Sequence, residues 1–224
     1  MIRYNTGVVP LRALILDYGQ VLTYPQAPDV IQVMAARLGV TVEAFTAAYW
    51  EHRRPYDAGE YPPADYWRCV LRSLALRPEE LDERALLDWL VGRDGDSWMR
   101  YRDEVWDLAK DVRAKGVSTA ILSNMPVALA QCIRRDRVLE EWFDVVIVSG
   151  DVRSTKPDPR IYRLCLGRLD AEPAGALFVD DREENVAAAA RLGMRTVHFV
   201  GDDPVAALRK AIAIGPASLA NRYW

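Results

Sequence analysis

Five polar residues stand at the ends of short apolar runs, or in the loops after them, in this chain of 224 residues. They are Asp17, Ser123, Lys156 and the adjacent pair Asp180 and Asp181. Carboxylates are ligands for divalent cations, whereas ammonium and hydroxyl groups bind phosphate oxygens. If the apolar runs are parallel strands, their carboxyl ends open into one crevice, where these side chains would meet. The pattern therefore predicts a site for a cation and a phosphate-like anion.

Each of these residues also has an ordinary structural interpretation. Asp17 or Ser123 could cap the loop after its strand, and a loop lysine such as Lys156 is usually solvated. The pair Asp180 and Asp181 could begin a helix, where acidic residues are favoured. Two neighbouring carboxylates at a strand end repel each other, however, unless a cation lies between them. The combination of all five residues therefore favours a metal site.

The apolar runs have the length of buried strands, and amphipathic helical stretches separate the later ones. Strands that alternate with helices are typical of a parallel sheet covered on both faces. We therefore expect an α/β fold with a doubly wound, Rossmann-like parallel sheet. The expected strands are residues 13–16, 119–122, 145–148, 176–179 and 196–200, and the expected helices are 126–135, 159–168, 184–192 and 204–212.

Residues 25–111 have a different pattern, because turn residues there separate helical stretches and strand-like runs are absent. The expected helices are 28–38, 42–53, 63–74, 79–91 and 100–115. We predict an α/β core domain from residues 1–24 and 112–224, with an α-helical cap domain inserted over 25–111. An insert after the first strand would lie over the carboxyl ends of the strands, where it could act as a lid.

The composition and charge of the chain indicate which kinds of partner it binds. The formal net charge is −3, without the basic stripe that would follow a nucleic-acid backbone. No apolar run approaches the about 20 residues that span a membrane, and the first residues lack the apolar core of a signal peptide. Cys69, Cys132 and Cys165 stand apart in apolar contexts, which favours buried free thiols. We therefore expect a cytoplasmic monomer or homodimer that acts on a small molecule and binds neither nucleic acid nor membrane.

Four short segments resemble, in order, the motifs of the haloacid dehalogenase-like hydrolase superfamily. They are residues 17–21 (Asp-Tyr-Gly-Gln-Val), 121–124 (Ile-Leu-Ser-Asn), 156–157 (Lys-Pro) and 179–181 (Val-Asp-Asp), the last followed by Asn185. Each segment is short, but the segments occur in the order and with the spacing of the family, and the resemblance covers nearly the whole chain. The resemblance implies a Rossmann-like core with a helical cap, and a Mg²⁺-dependent hydrolase of small phosphorylated metabolites.

The resemblance also implies roles for the residues that bind phosphate. Asp17 would be the nucleophile and become transiently phosphorylated, while Ser123 and Lys156 would act with it as catalytic residues. A phosphoryl group repels a carboxylate nucleophile, so its charge must be neutralised, and Lys156 would supply part of that neutralisation. The remaining expected phosphate donors are the backbone N–H groups of Tyr18, Gly19 and Asn124.

The cation implied by the resemblance is Mg²⁺, which prefers oxygen ligands. Its expected ligands are Asp17, the backbone carbonyl of Gly19 and Asp181. Asp180 would be a further ligand or would support the ligands from beside them.

Gly19 departs from the pattern of most phosphatases in the superfamily, which carry at this position a second Asp that acts as general acid and base. The loss of such a group typically costs 10²–10⁴-fold in rate. The expected function is still a phosphatase whose leaving group departs easily, as from a sugar 1-phosphate. One alternative is a haloacid dehalogenase, because halide leaves without a proton, although metal-independent dehalogenases lack the acidic pair. The other is a phosphate-binding or regulatory protein with weak catalysis.

The helical insert is expected to choose the substrate, but its candidate residues are weakly indicated. Those candidates are Trp50, His52, Arg53, Arg54, Tyr56 and Glu60. The basic run within them could equally end a helix, where positive charge is favoured. The acidic residues around Gly95 are expected to form a turn, because they lack the spacing of a calcium loop.

Overall fold

The fold is a five-stranded parallel sheet flanked by helices, in a computed structural model that describes residues 9–77 and 83–213. The strand order is β3-β2-β1-β4-β5 and every pairing is parallel. The strands are β1 Ala13–Leu16, β2 Ser118–Ser123, β3 Val145–Val148, β4 Ala176–Asp180 and β5 Arg195–His198. The α/β, doubly wound architecture expected from the sequence is confirmed.

The central strand β1 is apolar at every position because both faces of the sheet are covered. In β1, Leu14 and Leu16 belong to one cluster of buried residues, whereas Ala13 and Ile15 belong to another. Successive side chains of a strand point to opposite faces, so this division follows from the strand geometry. The first cluster includes residues of three helices on one face, and the second includes residues of two helices on the other.

Eleven α-helices accompany the sheet within the described residues. They are α1 Pro28–Leu38, α2 Val42–Glu51, α3 Arg53–Asp57, α4 Pro63–Ser73, α5 Glu83–Ser97, α6 Asp103–Ala114, α7 Val127–Asp136, α8 Ser149–Val152, α9 Pro159–Arg168, α10 Glu183–Arg191 and α11 Pro204–Ala213. Helices α6, α7 and α11 contribute to the first cluster, and α9 and α10 to the second. The single helix expected over 42–53 is divided at His52 into α2 and α3.

The inserted helices have a hydrophobic core of their own. A third cluster of buried residues runs from Met34 to Leu90 and draws on α1 to α5. The buried residues of α6 instead belong to the cluster on the sheet, although the predicted boundary at residue 111 cuts that helix. The division into core and cap domains stays a prediction, and α6 packs with the core in either description.

Two local expectations about the insert and the cysteines need correction. Asp94, Gly95 and Asp96 do not form a turn but lie inside α5, which continues to Ser97. Cys132 and Cys165 are buried free thiols as expected, whereas Cys69 is only half-buried. Residues 79–82, where the helix expected at 79–91 would begin, lie outside the described residues.

Among the described helices, none by itself has the length and apolar character to cross a membrane. Helices α1 and α2 reach that length and apolar character only when they are taken together, and they are bent by 98° relative to each other.

Candidate active site

Asp17 lies where the order of the sheet reverses, between β1 and its neighbour β4. Its backbone N–H donates to the carbonyl of Val179 (2.9 Å), which extends the pairing of the two strands by one residue. The carboxylate is 7% exposed, and its Oδ1 accepts from the backbone N–H of Tyr18 (2.7 Å). Ligands of open α/β sheets bind at this kind of switch point. Asp17 is therefore a nearly buried carboxylate at the expected location of a site.

Lys156 joins two of the predicted site residues through its ammonium group. Its Nζ lies 2.9 Å from Oδ1 of Asp17 and 2.6 Å from Oδ2 of Asp180. Asp180 is fully buried, and its oxygens also accept from the side chain of Asn185 (3.0 and 3.1 Å) and the backbone N–H of Arg182 (2.9 Å). Asp180 is thus committed to holding Lys156 and the start of α10.

Three carboxylates converge beside this lysine. Asp17, Asp180 and Asp181 each offer an oxygen, and the three oxygens lie within 4.8 Å of one another. Asp181 is the most accessible of the three, and its Oδ2 accepts from Nε2 of Gln20 (2.6 Å). A compact set of carboxylate oxygens is the donor chemistry that a hard divalent cation prefers. The residues present therefore fit the Mg²⁺ site expected from the sequence.

Burial and crowding of charge shift the pKa values in this cluster. Burial raises the pKa of Asp17 to about 7, and the nearby carboxylates of Asp180 and Asp181 add to that rise while Lys156 opposes it. The pKa of Asp181 is raised in the same direction, first by burial and then by Asp180. Burial alone would lower the pKa of Lys156, but the charges of Asp17 and Asp180 outweigh it and raise that pKa. The cluster is therefore short of positive charge.

The second predicted motif lies beside the cluster, at the carboxyl end of β2. Ser123 is its last residue, is 3% exposed and lies on the strand next to β1. Asn124 forms two hydrogen bonds with the backbone of Lys156, accepting from its N–H (2.8 Å) and donating to its carbonyl (2.9 Å). Asn124 therefore fixes the loop that carries Lys156, a contact made by its side chain rather than by the backbone N–H singled out from the sequence.

The turn over 18–22 has its left-handed residue at Gln20 and not at the glycine. Gly19 has φ −63° and ψ 130°, which any residue can adopt, and the left-handed residue is Gln20 at φ 61° and ψ −8°. A Cβ on Gly19 would lie 3.4 Å from the indole of Trp98, which is ordinary van der Waals contact. The side chain of Tyr18 points the same way, and its hydroxyl donates to the carbonyl of Trp98 (3.0 Å). The insert therefore reaches the site through Trp98, which the sequence interpretation did not single out.

Two of the predicted substrate residues of the insert, Arg53 and His52, have side-chain partners within the insert. Arg53 is buried, with its Nε 2.7 Å from Oδ1 of Asp57, its Nη1 3.2 Å from Oδ1 of Asp94, and a further hydrogen bond to the hydroxyl of Tyr49. His52 pairs with Ser73 (2.9 Å). Tyr56 is buried, whereas Trp50 is half exposed. No sequence signal distinguished the charges that would be buried from those that would be solvated.

The insert touches the end of β3 at one close contact. The hydroxyl of Ser149 donates to the backbone carbonyl of Asp57 and accepts from the backbone N–H of Met125 (2.9 Å). Gly59 lies so close to the carbonyl of Gly150 that a Cβ there would overlap it. This contact holds the carboxyl end of α3 against the rim of the strands that carry the site.

A protein-family model described as haloacid dehalogenase-like hydrolase matches residues 11–193. The chain belongs to this hydrolase family. The matched span contains all five polar residues of the predicted site, which are Asp17, Ser123, Lys156, Asp180 and Asp181.

Curated relatives within the family have different activities. The chain is 29% identical over 198 residues to (S)-2-haloacid dehalogenase 1 of Pseudomonas sp. (strain CBS-3), covering 85% of each protein. It is 27% identical over 189 residues to a sesquiterpene phosphatase of Aspergillus oryzae, covering 84% of this chain and 89% of the relative. It also matches acyl-CoA dehydrogenase family member 10 of Mus musculus, 39% identical over 105 residues, which are 9% of that much longer protein.

Solved structures share the fold. A HAD family enzyme of Bacteroides thetaiotaomicron superimposes with a TM-score of 0.72 at 17% identity, covering 89% of this chain and 99% of that one. Another structure of that enzyme is a complex with magnesium and inorganic phosphate, at a TM-score of 0.66 and 17% identity, covering 83% of this chain and 92% of that one.

Proposed function

We propose that this hydrolase is a Mg²⁺-dependent phosphatase of small phosphorylated metabolites that works through an aspartyl-phosphate on Asp17. The observation that carries the proposal is the convergence of three carboxylates, two of which contact Lys156. Asp180 is occupied by Lys156 and by amide donors, which leaves Asp17 and Asp181 as the carboxylates open to a cation.

The charge balance favours phosphoryl transfer over carbon–halogen hydrolysis. A bound Mg²⁺ would supply positive charge that offsets the repulsion between the carboxylates and a phosphoryl group. Displacement of halide from a carbon atom has no phosphoryl dianion to neutralise, so it does not require a second cation beside Lys156. The raised pKa values of Asp17 and Asp181 are consistent with a cluster that lacks one positive charge.

The other predicted residues have roles that follow from their positions. Lys156 would hold one oxygen of Asp17 and face the transferring phosphoryl group. Ser123 and the backbone N–H groups of Gly19 and Asn124 would donate to phosphoryl oxygens as charge moves during in-line displacement. The N–H of Tyr18, which donates to Oδ1 of Asp17 (2.7 Å), would do so by exchanging that bond for one to the phosphoryl group. The carbonyl of Gly19 remains a proposed ligand of the cation. These groups lie at the carboxyl ends of β1 and β2 or in the loop that carries Lys156.

The reaction would proceed in two displacements. A carboxylate oxygen of Asp17 attacks phosphorus, and the bond to the leaving oxygen breaks with its electron pair. Water then attacks the aspartyl-phosphate, which releases inorganic phosphate and restores Asp17. Because Gly19 offers no proton to the leaving oxygen, that oxygen takes its proton from solvent. Substrates with leaving groups of low basicity, such as a sugar 1-phosphate, should therefore react fastest.

Haloacid hydrolysis is the second candidate, because a dehalogenase is among the relatives that align over most of their length. The absence of a side chain at Gly19 suits a leaving group that needs no proton. A phosphate-binding protein with little turnover is the remaining alternative.

The deciding experiment measures phosphate release from sugar phosphates, a sesquiterpene phosphate and p-nitrophenyl phosphate, with Mg²⁺ or EDTA. It compares the wild type with Asp17→Asn and with Asp107→Asn, a matched control on the exposed side of α6. We expect Mg²⁺-dependent release that Asp17→Asn abolishes and Asp107→Asn retains.

Chloride release from 2-haloacids, measured in parallel, separates the alternatives. Halide release without phosphate release would establish the dehalogenase and refute the phosphatase. Silence in both assays would leave the binding protein as the better account.

A further inference from the structure

Gln20 combines an unusual backbone with a specific side-chain contact. Its φ of 61° lies in the left-handed region, which side chains other than those of Gly, Asn and Asp rarely adopt. The turn holds it there, since the N–H of Gln20 donates to Oγ1 of Thr23 (3.3 Å) and the N–H of Thr23 donates to the carbonyl of Tyr18 (3.1 Å). Strained backbone that the surrounding structure maintains is concentrated at functional sites.

The side chain of Gln20 reaches a carboxylate that is 161 positions away in the sequence. Its Nε2 donates to Oδ2 of Asp181 at 2.6 Å. Asp181 is also held at its backbone carbonyl, 2.9 Å from Nε2 of His198. The donor to Oδ2 leaves Oδ1 as the oxygen of Asp181 that is available to a cation.

The chemistry of an amide suits this position. A glutamate at position 20 would add a fourth negative charge to the cluster of Asp17, Asp180 and Asp181. A lysine or arginine would form an ion pair with Asp181 and compete with a cation for it. A neutral donor fixes the carboxylate without changing the charge that the cluster presents.

We propose that Gln20 is a positioning residue that orients Asp181 for the cation, at the cost of a strained backbone. This inference rests on the cation site of the proposed function. Hydrogen-bond partners of metal ligands typically contribute 10–100-fold to metal affinity. A substitution of Gln20 that relieves the strain should therefore lower the affinity for the cation without lowering the stability of the chain.

The test is calorimetric titration with Mg²⁺, together with thermal unfolding in EDTA. Gln20→Gly removes both the amide and the left-handed strain, so we expect Mg²⁺ affinity to fall 10–100-fold. The unfolding midpoint in EDTA should stay the same or rise by about 2–4 °C. Gln20→Asn tolerates the left-handed backbone but is one methylene shorter, and it should also weaken Mg²⁺ binding.

Ala75→Gly is the matched control, because Ala75 is left-handed (φ 56°) and lies beyond α4 in the insert. It should gain stability without a change in Mg²⁺ affinity. Equal affinities of the wild type and Gln20→Gly would overturn the inference while leaving the cation site intact. A wild type that binds no Mg²⁺ would remove the proposed cation site, and the inference with it.

Discussion

At the scale of single residues, the site depends on one buried ammonium group. Nζ of Lys156 is inaccessible to solvent and contacts Asp17 and Asp180, of which the latter is fully buried. A buried ion pair contributes little net stability when it is intact, but removing one partner leaves an uncompensated charge in a medium that cannot solvate it. Lys156 should therefore matter to folding as well as to chemistry.

We predict that Lys156→Met lowers the free energy of unfolding by about 3–5 kcal/mol and abolishes turnover. Urea unfolding followed by circular dichroism measures the first effect, and phosphate release measures the second. Lys210→Met, on an exposed position of α11, is the control and should unfold like the wild type. A Lys156→Met protein of wild-type stability would contradict the view that this lysine compensates the two carboxylates.

At the scale of elements, the insert meets the sheet where backbone approaches backbone. Gly59 has φ 75°, and a Cβ there would overlap the carbonyl of Gly150 at the start of α8. Ser149 adds its hydrogen bond to the carbonyl of Asp57 in the same place. The position of the carboxyl end of α3 against the sheet thus depends on a contact that has no space for a side chain.

We predict that Gly59→Ala destabilises the chain more than Gly39→Ala does. Both glycines are left-handed, so each substitution carries about 1–2 kcal/mol of backbone strain. Only Gly59 also meets another backbone, whereas a Cβ on Gly39 would have no heavy atom within 4 Å, so the Gly59 variant should lose a further 1–3 kcal/mol or so. Equal losses in urea unfolding would mean that the close contact is dispensable.

At the scale of the whole molecule, charge buried in the insert links folding to pH. The ion pair of Arg53 and Asp57 favours the charged form of both residues, but burial outweighs it at Asp57 and not at Arg53. Burial opposes the charge on Arg53, but Asp57, Tyr49 and Asp94 together raise its pKa. Burial raises the pKa of Asp57 to about 6 even though Arg53 opposes that rise, so the charge of Asp57 is the disfavoured one.

The sign of the pH effect follows from the higher pKa in the folded chain. Asp57 has a reference pKa of 3.8 and a folded value of about 6, so the folded state binds the extra proton between those values. The stability that Asp57 contributes is complete below pH 3.8 and is lost as the pH rises through about 6. We predict that the free energy of unfolding of the wild type falls, relative to Asp57→Asn, by roughly 1–3 kcal/mol across this window.

Urea unfolding at a series of pH values from 4 to 7 or so measures this difference. Asp107→Asn, which removes an exposed charge from α6, reports any effect common to the loss of one carboxylate. A difference between the wild type and Asp57→Asn that stays constant with pH would refute the assignment of the shift to Asp57.

The sheet, its parallel pairing and the set of residues at its carboxyl ends could all be predicted from the sequence. Apolar runs of strand length are a local property, and the rule that parallel strands share one open edge brings Asp17, Ser123 and Asp180 together without further information. The helical character of the insert was equally local. The order of the motifs indicated the family, and the family model confirms it.

The neighbours that complete the site could not be predicted in this way, because they come together only when the helices and strands pack. Gln20 contacts Asp181, and Trp98 lies beside Gly19. The residues of each pair are far apart in the sequence, and no periodic pattern encodes such pairs. The burial of Arg53 with Asp94 likewise depends on how α3 and α5 pack, since a charged residue in a helix is usually solvated. Local sequence sets the elements, whereas long-range packing sets which side chains meet.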